Sequence, residues 1–149
     1  MRFDLPDMTA DEMVALTREH NFFSWSAQGA VAPIPMKRGK GVYFWDANDK
    51  RYFDLNSQLM CVNIGHGDQR VIDAIKAQAD ELVYAGPSMA TRVRAELGRE
   101  LAEVTPDGLD KFFFVLGGAE ANENAIKMAR AVTGRQKILT RYRAYHGAT

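Results

Sequence analysis

The spacing of hydrophobic and polar positions changes along the chain, and each change marks an element. Thr9-Ala10-Asp11-Glu12 has the form of a capping box, Thr at the N-cap and Glu three residues on, and predicts a short helix through about Arg18. Residues 22–28 (FFSWSAQ) are aromatic without a clear period, and Pro33 and Pro35 keep the stretch after them extended. Residues 41–46 and 51–55 are strand-like and flank the turn-rich Ala47-Asn48-Asp49-Lys50, which predicts a β-hairpin. Residues 59–67 read as a loop in which Asn63, Gly65, His66 and Gly67 supply turn chemistry.

Two amphipathic helices follow. Asp68 can cap the first, which places Val71, Ile72, Ile75, Ala79 and Leu82 on one face. Gly86-Pro87-Ser88 breaks the chain, and Val93, Leu97, Leu101 and Val104 stripe the second helix until Pro106-Asp107-Gly108 ends it. The run Lys111-Phe112-Phe113-Phe114-Val115-Leu116 has the pattern of a strand buried on both faces. Gly117-Gly118-Ala119 turns the chain into a helix from Glu120 to about Val132. Thr133-Gly134 closes that helix, and residues 137–142 form a second strand. Strand, helix and strand in that order predict an α/β fold with a parallel sheet. One parallel pair cannot bury its own faces, so the chain reads as unfinished on physical grounds.

Composition narrows the class. Nineteen Lys plus Arg balance nineteen Asp plus Glu over 149 residues, so no net field favours nucleic acid or an anionic membrane. No apolar run reaches the length of a membrane span, and the first residues (MRFDLPDMTADEM) lack the basic and apolar regions of a signal peptide. The single cysteine, Cys61, excludes an internal disulfide and, within Leu59-Met60-Cys61-Val62, reads as a small buried residue. A soluble, cytoplasmic, globular protein is expected. Internal repeats and low-complexity segments are absent.

Candidate chemistry concentrates at the Gly117-Gly118-Ala119 turn. First-turn amides of a helix have no intrahelical partner, and the helix dipole adds positive potential, so a glycine-rich turn there can hold an anion. The spacing matches neither the P-loop nor the dinucleotide fingerprint, and a tight packing turn is the competing reading. Tyr145-His146-Gly147 lies at the carboxyl end of the second strand, where open α/β sheets bind ligands. An aromatic ring there could stack on a flat heterocycle whose phosphate sits on the helix, with His146 as a ligand-side group, while His146 in isolation reads rather as an ordinary loop histidine. His20 and His66 carry no pattern, and nothing points to a metal site.

Taken together these segments resemble the class III, or ω-, aminotransferases of the fold type I pyridoxal-phosphate enzymes. Residues 113–130 (FFVLGGAEANENAIKMAR) are similar to the family's strand, Gly-rich turn and helix. Residues 141–149 (RYRAYHGAT) look like its aromatic-His-Gly segment. Upstream, residues 41–46, Phe53-Asp54 and residues 61–67 (CVNIGHG) fit in the family's order, so the resemblance runs from about Phe22 to Thr149.

The resemblance implies a fold of two domains. Residues 1–57 would form the N-terminal helix and hairpin of a small domain, and residues 58–149 the beginning of a large cofactor-binding domain. It implies that Gly118 and Ala119 give backbone amides to the phosphate of pyridoxal 5′-phosphate, with Gly117 standing where many members have serine. Tyr145 would stack on the cofactor ring, and His146 and Gly147 would complete that wall. Trp25, Leu59 and Met60 fall in regions that shape the substrate pocket, with plain apolar packing as the alternative. Residues 84–88 match a segment near a homodimer interface. Residues 22–28 and 57–63 look closest to enzymes that take ω-amino donors such as taurine or β-alanine, with pyruvate or 2-oxoglutarate as the acceptor.

Transamination requires a lysine amine that holds the cofactor and moves the substrate's α-proton, and a carboxylate at the ring nitrogen. None of Lys37, Lys40, Lys50, Lys76, Lys111, Lys127 or Lys137 lies in a segment resembling the family's lysine motif. No catalytic residue is therefore assigned, and the chain reads as a fragment inactive alone. Two alternatives stay open: an aminomutase or decarboxylase on the same scaffold, and a short non-catalytic product that binds a partner or a phosphate ligand.

Overall fold

The computed structural model describes residues 6–147. It divides into two compact units, Met1–Tyr84 and Ala85–Thr149.

In the first unit the expected capping box forms. The Glu12 N–H donates to Thr9 Oγ1 at 3.2 Å and the Thr9 N–H donates to Glu12 Oε2 at 2.9 Å, which starts α1 (Ala10–His20). The Thr9 hydroxyl and amide together hold the Glu12 carboxyl below its ordinary range. The chain then bends through Trp25, whose φ is +55°, and a short 3-10 turn at Gln28–Ala30. The Gln28 amide behaves like a peptide group: Oε1 accepts from Phe23 N–H at 2.9 Å, and Nε2 donates to Phe23 O at 2.7 Å and Ser26 O at 2.9 Å.

The predicted hairpin is present as β2 (Tyr43–Asp46) and β3 (Arg51–Phe53), paired antiparallel. Sequence pattern placed only extended chain before it. There the structure has a third strand, β1 (Met36–Lys40), paired antiparallel with β2 and bulged between Met36 and Arg38. Its basic composition, Lys37-Arg38-Gly39-Lys40, hides the strand from an alternation test. Asp46 organises the turn and is the one buried residue among those described. Oδ1 accepts the Asn48 and Lys50 amides, both at 2.9 Å, and Oδ2 accepts the Tyr52 hydroxyl at 3.0 Å. Burial raises the Asp46 pKa, but these donors outweigh it and leave the carboxyl below its ordinary value. Across the strands Phe44 stacks on Tyr52 at 4.9 Å and Tyr43 meets Phe53 at 4.5 Å, cross-strand pairs of the kind that stabilise a sheet.

Where a loop was expected, residues Ser57–Met60 wind into a single helical turn, α2. It is left-handed, with φ of +51°, +47°, +61° and +65° at Ser57, Gln58, Leu59 and Met60. Each such non-glycine residue costs roughly 1–2 kcal/mol. Cys61 closes the turn through its amide to Ser57 O at 2.9 Å and is exposed. This corrects the expectation of a buried cysteine: the described residues include no buried apolar side chain for it to pack among. Asp68 caps α3 (Gln69–Glu81) as expected, accepting the Arg70 amide at 3.0 Å.

In the second unit α4 (Arg92–Val104) and α5 (Gly118–Thr133) form where the pattern placed them, and Gly134 ends α5 at φ +68°. The two flanking strands do not. Residues 111–116 and 137–142 form no ladder with each other or with any other described segment. The expectation that residues 111–116 are buried on both faces is likewise corrected, since Phe113 is exposed and Leu116 fully so. Parallel neighbours come together only with crossover partners on both sides, and among the described residues no strand flanks either segment. The described residues include no buried hydrophobic side chain, so the helix stripes, Ile75 and Leu97 among them, face outward.

Candidate functional site

The Gly117-Gly118-Ala119 turn begins α5 with Gly117 as N-cap, and no side chain caps the helix. Space is open around it: a Cβ added at Gly117 or Gly118 would meet nothing within 4 Å. Glu120, in the first turn, accepts the Leu116 N–H at 2.9 Å and so ties down the approach to the turn. Open backbone amides at a sixteen-residue helix's positive end are the chemistry of an anion cradle.

The segment 145–147 comes to the same helix. A Cβ added at Gly147 would lie 3.4 Å from the Ala119 Cβ, an ordinary contact distance, so the two segments adjoin, and the φ of +137° at Gly147 favours glycine there. Tyr145 and His146 line a cleft of about 380 Å³ with Asn122, Ala125 and Ile126 of α5 and residues 138–140. Of the five residues expected around a phosphate and a ring, Gly147 adjoins Ala119, while Tyr145 and His146 share a cleft along α5 that Gly118, Ala119 and Gly147 do not line.

In the other unit Leu59 joins a groove of about 730 Å³ with Ile34, Met36, Phe44, Phe53, Asp54, Leu55, Asn56 and Gln58. Met60 follows it on α2, and both are exposed. Trp25, also exposed, does not line that groove. Sequence reasoning missed the anchor of this region, because His66 was read as patternless. Its Nε2 lies 2.7 Å from Asp54 Oδ2, and the two side chains are only 11% and 4% accessible. Burial raises the Asp54 pKa, but the Gln58 amide and His66 lower it further, and the net shift is downward. The available signal was Gly39, whose missing Cβ would stand 2.6 Å from the His66 ring.

Comparison with known proteins decides what this arrangement belongs to. A family model described as "Aminotransferase class-III" matches residues 25–149. The chain belongs to the class III aminotransferases. Acetylornithine aminotransferase of Archaeoglobus fulgidus is 38% identical over 116 residues, 78% of this chain and 30% of that protein. Among solved structures, taurine:2-oxoglutarate aminotransferase from Bifidobacterium kashiwanohense, in complex with PLP and glutamate, has a TM-score of 0.77 at 40% identity. That match covers 88% of this chain and 29% of the other. An (S)-enantioselective ω-transaminase from Thermomicrobium roseum reaches a TM-score of 0.87 at 37% identity, covering 95% of this chain and 34% of its own. The class III chain thus has part of the α/β fold of the fold type I pyridoxal-phosphate enzymes and spans about a third of the length of the relatives it matches.

The cofactor this family membership supports is pyridoxal 5′-phosphate. The residues present fit it: the uncapped start of α5 with open space at Gly117 and Gly118 suits a phosphate dianion, and the nearby Tyr145 ring suits a planar heterocycle. Among the described residues no group of three or more His, Cys, Asp and Glu could hold a metal, and no helix is long and apolar enough to cross a membrane.

Proposed function

We propose that this chain supplies the phosphate cradle and part of the amine pocket of a pyridoxal-phosphate transaminase that moves an amino group from an ω-amino donor to a 2-oxo acid such as pyruvate or 2-oxoglutarate. The observation that carries the reading is the meeting of Gly147 with Ala119 at the uncapped start of α5. Gly118 and Ala119 donate their amides to the phosphate, Tyr145 stacks on the ring, and His146 and Gly147 close that wall. Trp25, Leu59 and Met60 line the amine side. When bound, the cofactor supplies the electron sink for the α-carbon; the residues of this chain bind and orient it, and no lysine of this chain is assigned to the proton transfer.

The ω-amino donor is supported by the likeness to the taurine:2-oxoglutarate enzyme and the ω-transaminase. Under this reading residues 1–57 belong to a small domain and residues 58–149 to the cofactor-binding domain, in a cytoplasmic homodimer with residues 84–88 near its interface. The natural polypeptide's intact mass, taken before and after borohydride reduction, tests the reading together with an amine-transfer assay on β-alanine and taurine. A chain well above 16.7 kDa that gains one pyridoxyl-phosphate adduct and transfers the amine of either donor supports it. A 16.7 kDa chain without adduct or activity overturns it in favour of a non-catalytic product.

A further inference from the structure

The left-handed turn α2 asks what holds it. Four consecutive non-glycine residues with positive φ do not persist by local preference; the surrounding structure must over-determine them. Turn bonds supply part of that, with Met60 N–H donating to Asn56 O at 2.8 Å and Cys61 N–H to Ser57 O at 2.9 Å. A contact from inside the turn to a nearly inaccessible group is different. Gln58 N–H donates to Asp54 Oδ1 at 3.1 Å, while the other carboxylate oxygen of Asp54 lies 2.7 Å from His66 Nε2. His66 is itself fixed by a two-way backbone pairing with Gly41, each bond 2.8 Å, and its ring fills the space that Gly39 leaves. A single carboxylate therefore joins the strained turn to the rigid edge of the sheet.

We propose that the Asp54–His66 pair is a positioning clamp that holds Ser57–Met60 left-handed and thereby sets the width of the amine pocket through Leu59 and Met60. The pocket half of this statement rests on the transaminase reading above; the clamp half rests on geometry alone. Asp54 and His66 are positioning residues and touch no reacting atom. Leu59 and Gln58 line the same groove as Met36 and Phe44, so unwinding the turn would change its lining.

The test uses the full-length holoenzyme with Asp54→Ala, with Gln58→Gly added in the same background, and with Asp54→Asn as a milder variant should the alanine form fail to fold. Hydrogen exchange is followed on peptides spanning residues 56–62, and KM and kcat are measured with β-alanine and pyruvate. Asp54→Ala is expected to speed exchange of the turn amides by about 5–30-fold, the factor that relief of one left-handed residue's strain represents. It should raise the KM for β-alanine more than it lowers kcat. Gln58→Gly, free to adopt positive φ, should recover most of both effects. Unchanged exchange in the folded variant overturns the clamp. Faster exchange with an unchanged KM overturns its role in the pocket. A wild-type enzyme that transfers no amine removes the transaminase reading, while the exchange result still decides the clamp.

Discussion

The hairpin of the first unit and the segments flanking α5 make an instructive pair. Both read as strand from their residues, yet only one forms a ladder. In the hairpin the partner lies a few residues away. Asp46 collects the turn amides and the Tyr52 hydroxyl, and the aromatic pairs Phe44–Tyr52 and Tyr43–Phe53 lock the register. Around α5 a partner could come only from across a sixteen-residue helix or from other parts of a sheet, and residues 111–116 and 137–142 stay unpaired. An antiparallel hairpin carries its own pairing instructions, whereas a parallel strand's instructions are spread over the sheet that surrounds it.

The largest expected effect follows directly. In the 149-residue polypeptide, hydrogen exchange should be slower at the β2–β3 amides than at residues 111–116 by on the order of a hundredfold. Equal protection would dissolve the contrast. Glycine substitutions sharpen it next. Gly39→Ala forces the His66 ring to move and should destabilise the full-length protein by about 1–3 kcal/mol in thermal unfolding. Gly118→Ala meets open space and should leave folding unchanged or stabilise it by up to about 1 kcal/mol. A reversed order would contradict the packing described at both sites.

Tyr145→Ala in the holoenzyme should weaken pyridoxal-phosphate retention by about 3–10-fold, as expected for loss of one ring contact, and Tyr145→Phe should restore it. Equal retention in all three forms would remove the stacking role. Smaller still, Thr9→Ala should cost about 1 kcal/mol, read from circular dichroism melting of α1. The pH response of Asp68 is the finest probe. Hydrogen bonds from the Arg70 side chain lower its pKa from 3.8 to about 2. Because the folded value is depressed, its contribution to stability is complete above the ordinary value and fades as pH falls through the lower one. A carboxyl NMR titration of Asp68 checks the value, and Asp68→Asn should flatten this part of the acid response.

Legibility in the sequence follows the same division. The caps at Thr9 and Asp68, the hairpin, and the helices α1, α3, α4 and α5 could be read because each rests on neighbours within a few positions. The Gly117-Gly118-Ala119 turn was legible for the same reason. Its place beside residues 145–147 is read from the order of the elements and the family resemblance, since nothing local in either segment names the other. The left-handed turn at Ser57–Met60 gives no local sign because it contains no glycine. Asp54 and His66, twelve positions apart, find each other only through the three-stranded sheet.

That turn also bears on which sequences can occupy positions 57–60. Backbone geometry there disfavours branching at the β-carbon, since Val, Ile and Thr at positive φ are sterically penalised beyond other residues. Variation at Leu59 and Met60, in nature or in a laboratory library, is therefore filtered before any ligand is met. Side chains can change in length, aromaticity or polarity, with Asn and Gly entering most easily. If Leu59 and Met60 line the proposed amine pocket, a search for new amine preferences would do best to spend its diversity on unbranched replacements at these two positions.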